Sequence, residues 1–172
     1  MFLNEIKEIW TKKNVKKQLL NVKYLVSSPI IKKVAILIDE TYFHEKEALL
    51  AEIKKNGIQE ENISFLVFKN VIKKNDSFGC DSFSYKNLSW LGTINKNEVS
   101  EFTQQEFDLL INYYDTKKSP LLLVTNLSKA KFKVGFASSD KRLNHFMVNT
   151  NAENYKVFVT ELFKYLKILN KL

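Results

Sequence analysis

The feature that most constrains the fold is a pair of short apolar runs separated by an amphipathic segment. Residues 34–38 (VAILI) and 63–68 (ISFLVF) are almost continuously apolar, which is typical of strands that are buried on both faces. Between them, apolar residues at helical spacing predict a helix over 42–56, and Gly57 stands where a helix C-cap is expected. Strand, helix and strand together have the length of a parallel β–α–β crossover.

The alternation of strand and helix continues to the end of the chain, so the sequence predicts an α/β domain over residues 31–172. We expect a Rossmann-like or flavodoxin-like three-layer fold with a mostly parallel sheet of about five strands. Residues 69–96 mix turn formers with aromatic residues and predict an irregular excursion with room for a short strand or hairpin. The remaining predicted strands are 108–114, 132–136 and 145–150, and the remaining predicted helices are 97–106, 121–127 and 152–169.

The N-terminal segment, residues 1–30, differs from the rest of the chain in charge. Residues 1–33 hold eight lysines and two glutamates, so +6 of the net charge of +8 falls there. Helical spacing of apolar residues predicts a basic amphipathic helix over 2–22. Its lysines can neutralise the phosphates of nucleic acid or of a membrane surface, or they can simply face solvent while the helix packs on the domain. The candidate residues for an anionic surface are Lys12, Lys13, Lys16 and Lys17.

Composition excludes several classes of protein. The 172 residues are long enough for one hydrophobic core. Cys80 is the single cysteine, which excludes a disulfide framework and a cysteine-rich zinc site. Because no apolar stretch has the length of a signal peptide or a membrane span, a cytoplasmic location without a transmembrane segment is expected.

Polar residues follow the predicted strands at their carboxyl ends, where open parallel sheets bind their ligands. Arg142, the single arginine, is suited to holding a carboxylate or phosphate through two parallel hydrogen bonds. Asp140 or Asp115 would be its partner in a purely structural role. The candidate ligand-binding residues at these strand ends are Asp39, Glu40, Tyr114, Asp115, Ser138, Ser139, Arg142 and His145.

The turn after the first predicted strand, residues 39–43 (DETYF), contains no glycine, and its carboxylates repel a pyrophosphate. Dinucleotide binding and Walker-type ATP hydrolysis are therefore disfavoured, and no cofactor is predicted. Asp39, Glu40 and His44 are possible metal ligands, since Glu40 and His44 lie four residues apart at a predicted helix start. Acidic residues at a helix start are favoured by the helix dipole alone, so no metal is predicted either. His145 has no serine, cysteine or aspartate at the spacing of a catalytic triad.

Two sets of residues resemble known families. Residues 107–112 and 128–136 resemble a segment in the N-terminal Rossmann-like domain of heptosyltransferase-type glycosyltransferases, which implies a strand, a short helix and a second strand. It does not imply sugar transfer, because such enzymes need a second Rossmann domain, for which this sequence has no room. The chain as a whole resembles a family of uncharacterised Bacteroidota proteins, which implies a bacterial origin but no chemistry. This second resemblance is carried by residues 38–43, 88–92, 108–114, 131–136 and 140–144.

Without a catalytic constellation, the leading hypothesis is a non-catalytic binding or accessory protein that acts on a protein partner or a ligand. One alternative is a small enzyme or ligand-binding domain that uses Asp39, Asp115, Ser138 and Arg142. The other is a binder of anionic surfaces, nucleic acid or membrane, through the N-terminal helix. Whether the chain is an enzyme stays open at this point.

Overall fold

The structure is a computed structural model that describes residues 5, 7–9, 11–13 and 30–172. In this part of the chain six parallel strands form one sheet in the order β3-β2-β1-β4-β5-β6. This is the order of dinucleotide-binding Rossmann folds and not that of flavodoxin. The predicted α/β fold is confirmed, with six strands instead of about five. The strands are β1 (Val34–Asp39), β2 (Ile63–Phe68), β3 (Asp81–Phe83), β4 (Leu109–Tyr113), β5 (Phe132–Phe136) and β6 (Phe146–Val148).

Helices connect most of these strands, as the apolar spacing predicts. The first begins four residues later than predicted, because residues 40–42 form a turn in which the Thr41 N–H donates to Asp39 Oδ1 at 3.0 Å. The strand–helix–strand order that the resemblance implies over residues 107–136 is confirmed. The helices are α1 (Lys46–Lys55), α2 (Asn97–Gln104), α3 (Ser119–Leu127) and α4 (Tyr155–Ile168), with 3₁₀ turns at Glu60–Asn62 and Tyr85–Asn87.

The additional strand, β3, lies inside the excursion over residues 69–96. It pairs with the end of β2, from Leu66↔Asp81 to Phe68↔Phe83. Phe83 is fully buried and packs edge-to-face on Phe68, with the ring centroids 5.2 Å apart. Three residues are too few to produce a readable strand period, so this strand is visible only through its pairing.

Helices cover both faces of the sheet, and successive residues of a strand face opposite layers. In β1, Val34, Ile36 and Ile38 pack toward α1 and α4. Ala35 and Leu37 pack toward α2 and α3. Asp39, at the end of the same strand, continues the alternation and points to the side of α3.

Residues 5, 7–9 and 11–13 are helical and fall within the predicted N-terminal helix, whose basic amphipathic character stays a prediction. The rest of that predicted helix, with Lys16 and Lys17, lies outside the described residues. Among the helices that the structure describes, none combines the length and the apolar character needed to cross a membrane.

Candidate binding site at the switch in strand order

The candidate site lies between the carboxyl ends of β1 and β4, which are neighbours in the sheet. The chain leaves β1 toward α1 on one face and leaves β4 toward α3 on the other. The two connections therefore diverge, and such a divergence opens the crevice in which Rossmann-type sheets bind ligands. A cavity of about 90 Å³ is found there. It is lined by Asp39, Tyr42, Phe43, Tyr113, Tyr114, Asp115, Ala152 and Glu153.

The cavity is small and acidic. Sites for drug-sized ligands occupy roughly 300–1,000 Å³, so a space of about 90 Å³ admits only a small molecule or a head group. Three of its lining residues carry carboxylates, four are aromatic, and none is basic. This lining disfavours an anionic ligand.

Two hydrogen bonds hold the loop that carries Ala152, which forms one wall of the cavity, against the end of β4. The Tyr113 hydroxyl donates to the Ala152 carbonyl at 2.6 Å. The Ala152 N–H donates to Asp115 Oδ2 at 3.0 Å. The loop that carries Ala152 and Glu153 is thereby fixed relative to the sheet, while the Glu153 side chain stays exposed.

A buried ion pair borders the cavity on the side of α3. Lys118 Nζ lies 2.6 Å from Asp39 Oδ2, although the two residues are only 8% and 5% exposed. The ammonium also lies 4.6 Å from the centroid of the Tyr42 ring and 5.2 Å from that of Phe68. Burial of two charges costs several kcal/mol per ion unless they are well paired, so each of these two residues depends on the other.

The described part of the N-terminal helix contacts the domain at the carboxyl end of the sheet, where the cavity lies. Ser119 Oγ donates to the Glu8 carbonyl at 3.0 Å, and Lys7 Nζ donates to the Leu88 carbonyl at 2.9 Å. Burial raises the pKa of Tyr85, and the nearby charges of Glu8 and Asp39 act in the same direction. These described residues thus contact the domain through polar groups, and the three alternatives for the N-terminal helix stay predictions.

Some of the predicted ligand-binding residues meet at this crevice. Asp39, Tyr114 and Asp115 all line the cavity. Ser138 lies beside them, because its hydroxyl donates to the Asp115 carbonyl at 2.8 Å. Ser139 is buried and donates to the Phe136 carbonyl at 2.6 Å. Three of the predicted residues thus share one cavity, Ser138 lies next to it, and their role in ligand binding stays a prediction.

The other predicted residues do not point into the crevice. Glu40 pairs with Lys46, 3.6 Å away, on the side of α1. Arg142 holds Asp140 through two hydrogen bonds, of 2.9 and 2.6 Å, which keep the pKa of that carboxyl below its ordinary value. His145 lies at the amino ends of the strands, opposite the crevice. Its Nδ1 accepts the Lys133 N–H at 2.9 Å where β5 begins, because His145 precedes the parallel strand β6 and does not follow a strand.

The residues predicted for an anionic surface are described only in part. Lys12 pairs with Glu8 at 3.1 Å within one helical turn, and Lys13 is exposed. Within the described ranges, no three histidine, cysteine, aspartate or glutamate side chains come together as metal ligands do.

A family described as "Family of unknown function (DUF6913)" matches residues 7–169. The chain belongs to DUF6913. The match begins at Lys7, so Lys7 and Glu8, which contact the domain beside the cavity, fall within the matched region. No curated protein and no solved structure matches the chain.

The structure of this DUF6913 chain also contains a buried polar network that sequence reasoning missed. Thr125 Oγ1 donates to Asn112 Oδ1 at 2.8 Å, and Asn112 Nδ2 donates to Asn144 Oδ1 at 2.7 Å. Asn144 Nδ2 then donates to Ser139 Oγ at 3.1 Å. Since the single proton of Thr125 is committed to Asn112, the Tyr114 hydroxyl, 2.7 Å away, must be the donor to Thr125. Each polar side-chain atom of the network has at least one hydrogen-bond partner, and the network joins β4, α3 and the loop before β6.

Two residues of β5 contact members of this network in the DUF6913 chain. Gly135 leaves room for the Asn144 amide, since a Cβ at this position would lie 2.9 Å from Asn144 Nδ2. Lys133 donates through Nζ to the Thr125 carbonyl at 2.7 Å, and burial lowers the pKa of its ammonium to about 8. The available signals were an asparagine within the apolar run LLINYY and a glycine within a strand, which often marks a close approach.

Proposed function

We propose that this chain is a non-catalytic binding or accessory protein of the bacterial cytoplasm, and that the crevice at the switch in strand order is not a nucleotide site. One observation carries the proposal. The crevice holds about 90 Å³ and is lined by carboxylates where a nucleotide-binding Rossmann domain needs room and an anion-binding turn. The end of β1 and the turn after it contribute side chains instead of glycine backbone, and one of them is the buried Asp39.

The buried ion pair supports the same proposal. A ligand phosphate in this crevice would have to approach Asp39 and Asp115. The only described basic group that borders them at close range, Lys118, is already held by Asp39 at 2.6 Å. An incoming anion would therefore have to replace an internal carboxylate and face a second one.

A ligand-binding role is favoured over an enzymatic one. Asp39, Tyr114 and Asp115 share one cavity, which favours binding of a small molecule there. The groups expected to do chemistry are engaged elsewhere: Arg142 is committed to Asp140 and the Ser138 hydroxyl to a backbone carbonyl. No comparison supports the resemblance to heptosyltransferases, so sugar transfer is no part of the proposal.

Thermal unfolding in the presence of nucleotides tests this proposal. A nucleotide at about 100 times its Kd adds about 2.7 kcal/mol to the free energy of unfolding. For a chain of this length that raises Tm by roughly 5–10 °C. We expect ATP, NAD⁺ and a UDP-sugar each to leave Tm unchanged. A saturable increase with any of them overturns the proposal, as does turnover of a phosphorylated metabolite that is lost in Arg142→Lys.

A further inference from the structure

The charges around the cavity are unbalanced. Asp39 is neutralised by Lys118. Asp115 and Glu153, which line the same space, have no basic side chain within 4.0 Å among the residues that the structure describes. The cavity therefore carries two uncompensated carboxylates.

The chain itself shows which chemical group suits this environment. The Lys118 ammonium lies against the Asp39 carboxylate and 4.6 Å from the centroid of the Tyr42 ring. Both of these residues also line the cavity. A carboxylate beside an aromatic ring attracts an ammonium through charge and through the ring quadrupole. Tyr42 lines the cavity together with Asp115 and Glu153, neither of which is paired with a basic side chain of the described residues.

We propose that this cavity binds the ammonium group of a small alkylammonium compound, with Asp115 and Glu153 as the counter-charges and the Tyr42 ring as a cation–π partner. The inference rests on the proposed function, because it names the class of ligand for a non-catalytic binding crevice. A space of about 90 Å³ fits a head group and not a nucleotide. Tyr42, which is 72% exposed, leaves the site open to solvent.

The test is a titration of the ¹⁵N-labelled full-length chain with methylammonium and tetramethylammonium chloride, followed through the backbone amides of Ala152 and Glu153. Sodium and potassium chloride at matched ionic strength are the reference titrations. We expect saturable shifts with the organic cations only. Since Tyr42 and Glu153 are exposed, Tyr42→Ala and Glu153→Gln should both fold, and each should weaken binding by roughly 2- to 5-fold.

Two residues that do not line the cavity provide matched controls. Trp90→Ala removes another half-exposed aromatic ring, and Glu161→Gln removes another surface carboxylate, which sits near Lys164 on α4. Both should bind as the wild type does. Shifts that sodium or potassium reproduce, or organic-cation binding that Tyr42→Ala and Glu153→Gln leave intact, overturn the inference. The proposed function fails separately, through a nucleotide-induced rise in Tm.

Discussion

Replacing Gly135 by alanine tests how the buried network determines the packing between β5 and the loop before β6. The φ angle of Gly135 is not positive, so alanine can adopt this backbone. The added Cβ would lie 2.9 Å from Asn144 Nδ2 and 3.1 Å from its Cγ, which forces the amide to move. Overpacking of a core costs about 1–3 kcal/mol, and a buried amide donor left without its acceptor costs about 1–3 kcal/mol more. The two costs sum to about 2–6 kcal/mol. Because the amide can relax in part, we expect Gly135→Ala to lower the free energy of unfolding by an amount in the lower half of this range, about 2–4 kcal/mol.

The physical cause is separated from other effects by repeating the substitution in an Asn144→Ala background. There the amide is absent, so the added methyl group meets no obstacle. A glycine-to-alanine change at a permitted backbone angle then stabilises by about 0.4–1 kcal/mol, because the unfolded chain loses freedom. The sign of the Gly135→Ala effect should therefore reverse between the two backgrounds.

The assay is urea denaturation of the wild type, both single variants and the double variant, evaluated as a double-mutant cycle. We expect a coupling free energy of about 2.5–5 kcal/mol between the two positions. If Gly135→Ala costs the same with and without the Asn144 side chain, the close approach of this amide is not the reason for glycine at this position, and the reasoning is refuted.

Three further predictions concern buried polar groups. Asp39→Ala should cost about 3–5 kcal/mol, because it leaves the Lys118 ammonium unpaired, and the double variant with Lys118→Met should recover most of the loss in urea denaturation; equal losses would contradict the pairing. Since burial lowers the pKa of Lys133 to about 8, the unfolded chain binds more protons than the folded chain between about pH 8 and 10, and stability should rise with pH in this window by up to about 3 kcal/mol. Lys133→Met should remove that rise. If the free energies of unfolding of the wild type and the variant change in parallel with pH across this window, the prediction is wrong. Tyr114→Phe should cost about 0.5–1.5 kcal/mol by chemical denaturation, because one hydrogen bond to Thr125 is lost, whereas no change would mean that the hydroxyl does not donate there.

The elements themselves were predictable from local spacing. A continuous apolar run such as residues 34–38 and a helical period such as that of α4 depend only on neighbours in the chain. These signals identified five strands and the flanking helices. They failed at β3, which has only three residues, and at the start of α1, where the Asp39 carboxylate stabilises a turn instead.

The ends of the strands could be located from the sequence, but the side chains that meet beside them could not. Strand ends follow from the sequence, so Asp39 and Asp115 were identified as candidates. Lys118 was indistinguishable from 25 other lysines, because its burial depends on where α3 starts relative to β1. Asn112 and Asn144 are 32 residues apart and meet only once β4 and β5 are paired.

The sequence by itself thus determined the α/β class and the absence of a glycine-rich phosphate turn, since both are local properties of the chain. The tertiary structure alone decided the strand order, the pairing of Asp39 with Lys118 and the position of His145 at the amino ends of the strands. The physical reason is that strand pairing and side-chain packing join residues distant in the chain, and their partners are selected by burial and hydrogen bonding, which no local pattern records.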